Sequence, residues 1–252
     1  MTGLETRVRE ALIDQRADEL VRYTLENPEY KAMITAIVPE VVEMMIDSTM
    51  DLASTLGEVD EEEMAEMIQK YKKEVLPKIQ ASIDNPKQLK QMMYEQARNQ
   101  WKSVRQLKAK LKQQVADLKK DCEISAEVVT EYERAYDGVI EFVRTNDRIV
   151  RRLTKIAETE GVDKATQKET RYAITREMFP TPEEYRTFAQ RGIEVVRNFF
   201  QQAQSALMAD GEMGQDLGRM VGVIGKRMEK IQEIGQKSQE DYLENTIQEI
   251  YG

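Results

Sequence analysis

The feature that most constrains the fold is a run of mostly apolar residues, spaced alternately three and four apart, in the segment after Ser125. The run comprises Val129, Tyr132, Tyr136, Val139, Val143, Asn146, Val150, Leu153 and Ala157. This heptad-like spacing is typical of helices that pack along a shared seam. Phe142, Ile149 and Ile156 form an adjacent strip, which makes the apolar face wider than a two-stranded seam requires. The pattern predicts an all-α fold, a multi-helix bundle with long coiled-coil-like helices.

Asn146 is the one strongly polar member of this seam. A buried Asn at a seam position can fix the register or the number of packed helices, at a cost in stability. The alternative is that Asn146 lies near the rim of the seam and meets water. We therefore treat Asn146 as a candidate interaction residue and keep both interpretations open.

Composition agrees with a helical class and restricts the chemistry of the chain. Good helix formers are abundant, and a third of the 252 residues are charged. The single cysteine, Cys122, has no partner within the chain for a disulfide, and there is no cysteine cluster for zinc. The first residues carry charges where a signal peptide is apolar, and no apolar run approaches the roughly 18 residues of a membrane span. We therefore expect a cytoplasmic protein that needs no cofactor or metal.

Caps and prolines divide the chain into segments. A capping residue precedes a proline at positions 27–28, 85–86 and 181–182. The pattern predicts helices over about 3–26, 28–56, 60–84, 86–121, 125–160, 163–179, 182–210 and 212–250. Pro39 and Pro77 predict kinks or breaks within two of these helices. We therefore predict a shorter, Pro-interrupted helical subdomain over residues 1–84 and a long-helix bundle over residues 85–252.

A basic stripe distinguishes residues 86–120, which hold ten Lys or Arg against two acids. Arg98, Arg105, Lys112 and Lys119 recur every seven positions within it. One interpretation is contact with an acidic partner, an anionic membrane or nucleic acid. The alternative is a solvated face balanced by acids on neighbouring helices, such as those from Glu58 to Glu66. The formal net charge of −9 argues against a protein that coats nucleic acid generally, so binding to phosphates would need this local surface.

A glycine strip marks the segment after Gly211. Gly214, Gly218 and Gly222 recur every fourth residue where the other residues favour a helix. Each Gly costs about 1 kcal/mol relative to Ala inside a helix, and close approach of another helix would offset that cost. The strip therefore predicts a tight helix crossing, either within the chain or between subunits. A local hinge is the competing interpretation.

Enzyme chemistry finds little support in the sequence. The absence of histidine removes Ser-His and Cys-His pairs and His-containing metal sites. Cys122 lies between Asp121 and Glu123 at a predicted helix C-terminus, which disfavours a reactive thiolate. The acids at 62, 63 and 66 are similar in spacing to the first acidic motif of all-α nucleotide pyrophosphohydrolases, which hold magnesium. The second Glu-x-x-Asp pair of that family is missing from the following helix.

The sequence therefore predicts a non-enzymatic helical scaffold, structural subunit or adaptor. It would act through self-association and protein contacts, with a homo-oligomer as the expected state. Its candidate interaction residues are Arg98, Arg105, Lys112, Lys119, Asn146, Gly214, Gly218 and Gly222. The first alternative is a peripheral binder of anionic membrane or nucleic acid through residues 86–120. The second is a carboxylate-metal nucleotide hydrolase that uses the acids between Glu62 and Glu66. No small-molecule substrate is indicated.

Overall fold

The structure is a computed structural model that describes residues 3–56, 61–74, 76–120 and 122–252. It is 91 % helical, with no strand in these ranges, so the predicted all-α class is confirmed. The helices in chain order are α1 (Gly3–Glu26), α2 (Pro28–Leu56), α3 (Glu61–Glu74), α4 (Leu76–Ser82), α5 (Pro86–Gln100), α6 (Val104–Lys120), α7 (Ala126–Glu160), α8 (Val162–Thr166), α9 (Lys168–Met178), α10 (Pro182–Met208) and α11 (Glu212–Tyr251).

Capping interactions account for several helix starts. The Asn85 side chain accepts hydrogen bonds from the amides of Lys87 and Gln88 at the start of α5. Thr181 and Glu184 form a reciprocal capping box at the start of α10, with Pro182 as its first residue. Gly161, at a φ of 86°, ends α7 in a conformation that favours glycine. The cap signals in the sequence therefore coincide with these helix boundaries.

The single helix predicted over residues 86–121 is wrong, because the chain leaves the helical path from Trp101 to Ser103. α5 ends with Trp101 in a non-helical conformation, and α6 begins only at Val104. The span predicted over residues 163–179 is likewise divided, since Gln167 adopts an extended conformation between α8 and α9. In the structure, each of these two predicted helices is therefore divided into two shorter helices.

The two internal prolines differ in their effect. α2 continues through Pro39 as one helix, so a break is absent there, and the kink that was predicted as the alternative stays a prediction. Pro77 lies in the first turn of α4, where its missing amide hydrogen leaves no helical hydrogen bond unmade. α3 ends at Glu74, and Val75 lies outside the described residues.

α7 is the central helix and contacts α1, α6, α8, α9 and α10. One apolar cluster joins α6, α7, α10 and α11 around Val129 and Leu207. A second joins α1, α5 and α7 around Leu12, Trp101 and Leu153. A third joins α1, α2 and α5 around Leu20 and Leu89. The division of the chain after residue 84 stays a prediction.

No helix in the described ranges is both long enough and apolar enough to cross a membrane.

Candidate functional site

The break between α5 and α6 determines where the predicted basic stripe lies. The amide and hydroxyl of Ser103 both donate to the Gln106 Oε1 atom, at 2.8 and 3.1 Å. The Gln106 amide in turn donates to the Ser103 hydroxyl, at 3.1 Å. This reciprocal pair is a capping box, and it starts a new helix at Val104. The spacing of Ser103 and Gln106 was visible in the sequence and could have predicted this break.

A buried ion pair holds the same turn from the other side. Arg9 of α1 and Asp147 of α7 are each 4 % exposed, and their side chains form a short ion pair. Arg9 also donates to the carbonyl of Trp101 at 3.0 Å. Asp147 accepts from the Val104 amide at 3.0 Å. The pair therefore binds the last turn of α5 and the first turn of α6 together.

Asn146 belongs to this junction. It is 7 % exposed, and its Nδ2 atom donates to the carbonyl of Gln100 at 3.1 Å. That carbonyl is one of those at a helix C-terminus that lack an intrahelical partner. The side chain therefore has a partner within the chain, and a role for Asn146 in specifying an assembly stays a prediction.

The break divides the four predicted basic residues between two helices. Arg98 lies on α5, where it pairs with Glu95 at 3.4 Å, and the other three lie on α6. On α6, Arg105, Lys108, Lys112 and Lys119 are all exposed, and we call these four residues the basic strip. At 100° per residue they lie within about 60° around the helix axis and span about 21 Å along it.

No ion pair neutralises the basic strip within the residues that the structure describes, and the side chains from Glu58 to Glu63 lie outside them. Within the described residues, none of its four side chains forms an ion pair, and α6 packs against α7 through Leu107, Leu111 and Val115. Beside the strip, burial lowers the pKa of Lys102, and repulsion from Lys110 and Arg98 lowers it further. Lys110 and Arg98 therefore lie close enough to Lys102 to repel its charge, and Glu95 acts against them.

The glycine strip of α11 lies against α10 of the same chain. A Cβ atom added at Gly218 would lie 2.7 Å from the Cγ atom of Met208, and one at Gly222 would lie 2.3 Å from the Nε2 atom of Gln204. At Gly214 it would lie 2.7 Å from the carbonyl oxygen of Leu207. The tight crossing is therefore present between α10 and α11, and contact of the strip with another subunit stays a prediction.

The structure describes only part of the acidic cluster between Glu62 and Glu66. The side chains at positions 61–64 lie outside those the structure describes, and Glu66 is exposed. Among the described residues, no group of three His, Cys, Asp or Glu is placed to hold a metal ion. Arg9 and Asp147, which sequence reasoning did not single out, are the most deeply buried charged residues of the described chain. Only a three-dimensional contact over 138 positions reveals them as a pair.

Comparisons of the chain with protein-family models, curated proteins and solved structures give no significant match.

Proposed function

We propose that this protein is a non-enzymatic helical scaffold that acts by self-association, in which the basic strip of α6 binds the acidic N-terminal segment of a second copy. The observation that carries the proposal is the separation of charge along the chain. Residues 1–84 contain nineteen acids and nine basic residues, whereas residues 86–120 contain ten basic residues and two acids. Complementary charges of this kind direct encounter and fix the register of two surfaces.

The exposed area of the chain supports the same proposal. Its accessible surface is 14825 Å². A folded monomer of 29.2 kDa exposes about 11,500 Å², so the excess is about 30 %. Stable protein interfaces bury roughly 1,200–2,000 Å² in total. The surplus is therefore large enough for an interface between copies.

The description of α7 as a coiled-coil-like helix is part of this proposal. Its support is the burial of the heptad-spaced residues, of which Val129, Val150 and Leu153 are 1, 0 and 0 % exposed. The wide apolar face of α7 contacts several helices of its own chain. The proposed contact between copies therefore uses the exposed flank of α6 and leaves the α7 seam inside the chain.

Sedimentation velocity as a function of protein and salt concentration tests the proposal. We expect dimers or larger species at low salt that dissociate as salt screens the charges. A variant with Arg98 of α5 and three members of the basic strip, Arg105, Lys112 and Lys119, changed to Gln should sediment as a monomer at every salt concentration. Gln keeps helix propensity and much of the side-chain length while removing the four charges.

A control variant removes the same number of charges from another exposed surface. Changing Arg134, Arg144, Arg148 and Lys155 of α7 to Gln alters the net charge equally, and all four are exposed. We expect this control to associate like the parent. A parent protein that is monomeric at all concentrations and low salt would contradict self-association. Equal association by both variants would contradict the role of the basic strip in it.

A second candidate function is binding of a polyanionic surface, either an anionic membrane or nucleic acid, through the same strip. The observation that favours it is that four cations share one flank of α6 without an ion-pair partner in the described residues. Binding to phosphatidylglycerol vesicles or duplex DNA should weaken as salt rises, with a shallower salt dependence for the four-Gln variant. Equal binding by that variant and the α7 control would exclude a role for the strip.

A further inference from the structure

A long cleft lies between α10 and α11, apart from the basic strip, and α1 of the acidic segment forms one end of it. It encloses about 1540 Å³ and is bounded by α1, α7, α9, α10 and α11. Along α10 it extends from Tyr185 to Gln201, which is about 24 Å at 1.5 Å per residue. Typical small-molecule sites enclose about 300–1,000 Å³, so this cleft has the size and length for an elongated ligand.

Two partly buried arginines lie at the end of the cleft formed by α1 and α9. The side chains of Arg16 and Arg171 are 19 and 13 % exposed. Both pair with one carboxylate, Glu19, at 3.5 Å from Arg16 and 2.5 Å from Arg171. Glu249 also lines this part of the cleft, where it pairs with Lys168 at 2.9 Å. Two guanidinium groups therefore share Glu19, and a partly buried charge without full compensation is unfavourable. This end of the cleft therefore favours an additional anion.

Hydrogen-bond donors without partners surround the arginine pair. Among the described residues, the Arg171 Nε and Trp101 Nε1 atoms have no hydrogen-bond acceptor. The Tyr185 hydroxyl, close enough to Arg16 to be influenced by its charge, also lacks one in the described part of the chain. Burial raises the pKa of Tyr185, and Tyr242 and Tyr251 raise it further against the opposing effect of Arg16. The hydroxyl is therefore protonated near neutral pH and able to donate.

The two long walls of the cleft differ in chemistry. α7 and α10 contribute the apolar side chains of Phe142, Phe188 and Ile193. The rings of Phe142 and Phe188 are stacked with their centroids 4.9 Å apart, and Ile193 is 37 % exposed. α11 contributes acids, including Glu229 and Glu233, on the opposite wall. An anionic head group is therefore favoured at the arginine end and disfavoured beside Glu229 and Glu233. An apolar body is favoured at Phe142, Phe188 and Ile193, beyond which Glu194 and Arg197 make the α10 wall polar.

We propose that the cleft binds a free, single-chain organic anion, such as a medium- or long-chain carboxylate. Its head group lies between Arg16, Arg171 and the Tyr185 hydroxyl, where charge-assisted hydrogen bonds to an oxyanion replace the missing partners. Its alkyl chain lies along Phe142, Phe188 and Ile193, where burial of apolar surface adds affinity. This site shares α1 with the proposed contact between copies, but the proposal for the cleft does not rest on that contact.

Titration with decanoate below its micellar concentration tests this site. Trp101 is the only tryptophan in the chain and borders the cleft, so its fluorescence reports occupancy directly. We expect a saturable change with one equivalent of decanoate, and calorimetry should give the same stoichiometry. Decyltrimethylammonium has the same chain with a cationic head, and it should bind at least tenfold more weakly because it meets Arg16 and Arg171.

Three variants locate the site, each compared with the parent for helical content by circular dichroism. Arg171→Gln should weaken decanoate binding by at least about tenfold, since it removes a charged donor. Tyr185→Phe removes only a hydroxyl without a protein partner, so the fold should persist while affinity falls about two- to tenfold. Ile193→Glu places a carboxylate on an exposed position of the apolar wall and should also weaken binding. Arg134→Gln, on the outer face of α7, is the matched control and should bind like the parent.

Three results would overturn the proposal. The first is the absence of saturable decanoate binding to the parent. The second is equal affinity for decanoate and decyltrimethylammonium, which would show that the arginines do not select the charge. The third is unchanged binding by folded Tyr185→Phe and Ile193→Glu variants, which would place any bound decanoate elsewhere.

Discussion

Two charged regions meet at the first turn of α6, and they differ in almost every physical respect. The junction formed by Arg9, Asp147 and Asn146 is buried, and its polar atoms bind one another or the ends of α5 and α6. The basic strip that begins at Arg105 is exposed and has no ion pair in the described residues. Both regions consist of ordinary charged and amide side chains, so their residue types alone do not separate them.

The difference in burial separates the charges that stabilise the fold from those that are available to contact another molecule. A charge withdrawn from water must be paired and hydrogen-bonded, so the junction residues have little freedom to bind anything else. An exposed cation on a helix contributes little to stability and keeps its charge available. We therefore assign the junction to positioning α6, and the strip stays the proposed contact surface.

Breaking the buried pair should have the largest effect. Arg9→Met leaves Asp147 with the Val104 amide at 3.0 Å and with Arg151 at 3.9 Å as its nearest cation. Removal of one member of a buried pair typically costs about 3–5 kcal/mol, because the remaining charge stays buried without compensation. Urea denaturation should therefore show that much loss in the free energy of unfolding.

Two further variants sharpen this test. Arg7 lies on the same helix but is exposed, so Arg7→Met should change the free energy of unfolding by no more than about 0.5 kcal/mol. The double variant Arg9→Met with Asp147→Leu should recover part of the loss, since Asp147 no longer stays buried without Arg9. Glu5, which also pairs with Arg9 at 3.0 Å, is only partly buried. Equal effects of Arg7→Met and Arg9→Met would show that the pair does not hold the junction.

Local signals in the sequence were sufficient for most helix boundaries. Caps at Asn85 and Thr181 act through atoms a few residues away, so the pattern predicts them without knowledge of the fold. The heptad spacing after Ser125 likewise predicted residues that are buried in α7. The break at Trp101 was missed because the apolar spacing continues across it, and the capping box of Ser103 and Gln106 was not weighed against that spacing.

The glycine strip should give the next largest effect. In Gly218→Leu, the new Cβ atom would lie 2.7 Å from the Cγ atom and 3.0 Å from the backbone nitrogen of Met208. The backbone nitrogen of Met208 cannot move away by a rotamer change, as a flexible side chain can. The leucine side chain therefore forces α10 and α11 apart. We expect a loss of at least about 1–3 kcal/mol, as is typical of overpacking, measured by thermal unfolding.

A glycine in open surroundings provides the control. A Cβ atom added at Gly138, in the middle of α7, would lie 4.0 Å from the Cγ1 atom of Val195, which is ordinary van der Waals contact. Gly138→Ala should therefore stabilise the protein by about 0.5–1 kcal/mol through helix propensity. A rise in melting temperature for Gly218→Leu would refute close packing. A loss confined to high protein concentration would locate the crossing between subunits.

Substitution of Asn146 should have a smaller effect on stability. The direction of that effect distinguishes a hydrogen-bonding role within the chain from a role in specifying an assembly. Asn146→Val removes the donor to the Gln100 carbonyl, so we expect a loss of about 1 kcal/mol with an unchanged mass distribution. If Asn146 instead specified a seam between subunits, the same change should raise stability and broaden the distribution of assembled states. Thermal unfolding and sedimentation of one preparation give both measurements.

The contents of the candidate sites could be predicted less well than the helices. Arg9 meets Asp147, and Arg16 meets Tyr242, only after distant helices pack, and nothing in the local pattern around these residues distinguishes them. The basic stripe was visible because its members lie close together in sequence. The exposure of the stripe could not be predicted from the sequence. An amphipathic pattern does not show which acids of other helices lie close to these cations.

The smallest effect on stability should come from the basic strip. Removal of its charges should change the free energy of unfolding much less than removal of the buried pair in the junction. Changing Arg98 of α5 and the strip residues Arg105, Lys112 and Lys119 to Gln removes one weak ion pair, between Arg98 and Glu95 at 3.4 Å, and the repulsion between Arg98 and Lys102. Exposed pairs contribute about 0–1 kcal/mol, and relief of repulsion acts in the opposite direction. The free energy of unfolding should therefore change by less than about 1 kcal/mol while association at low salt is lost. A loss as large as that of Arg9→Met would mean that these four residues support the fold, and the distinction between positioning and contact residues would then fail.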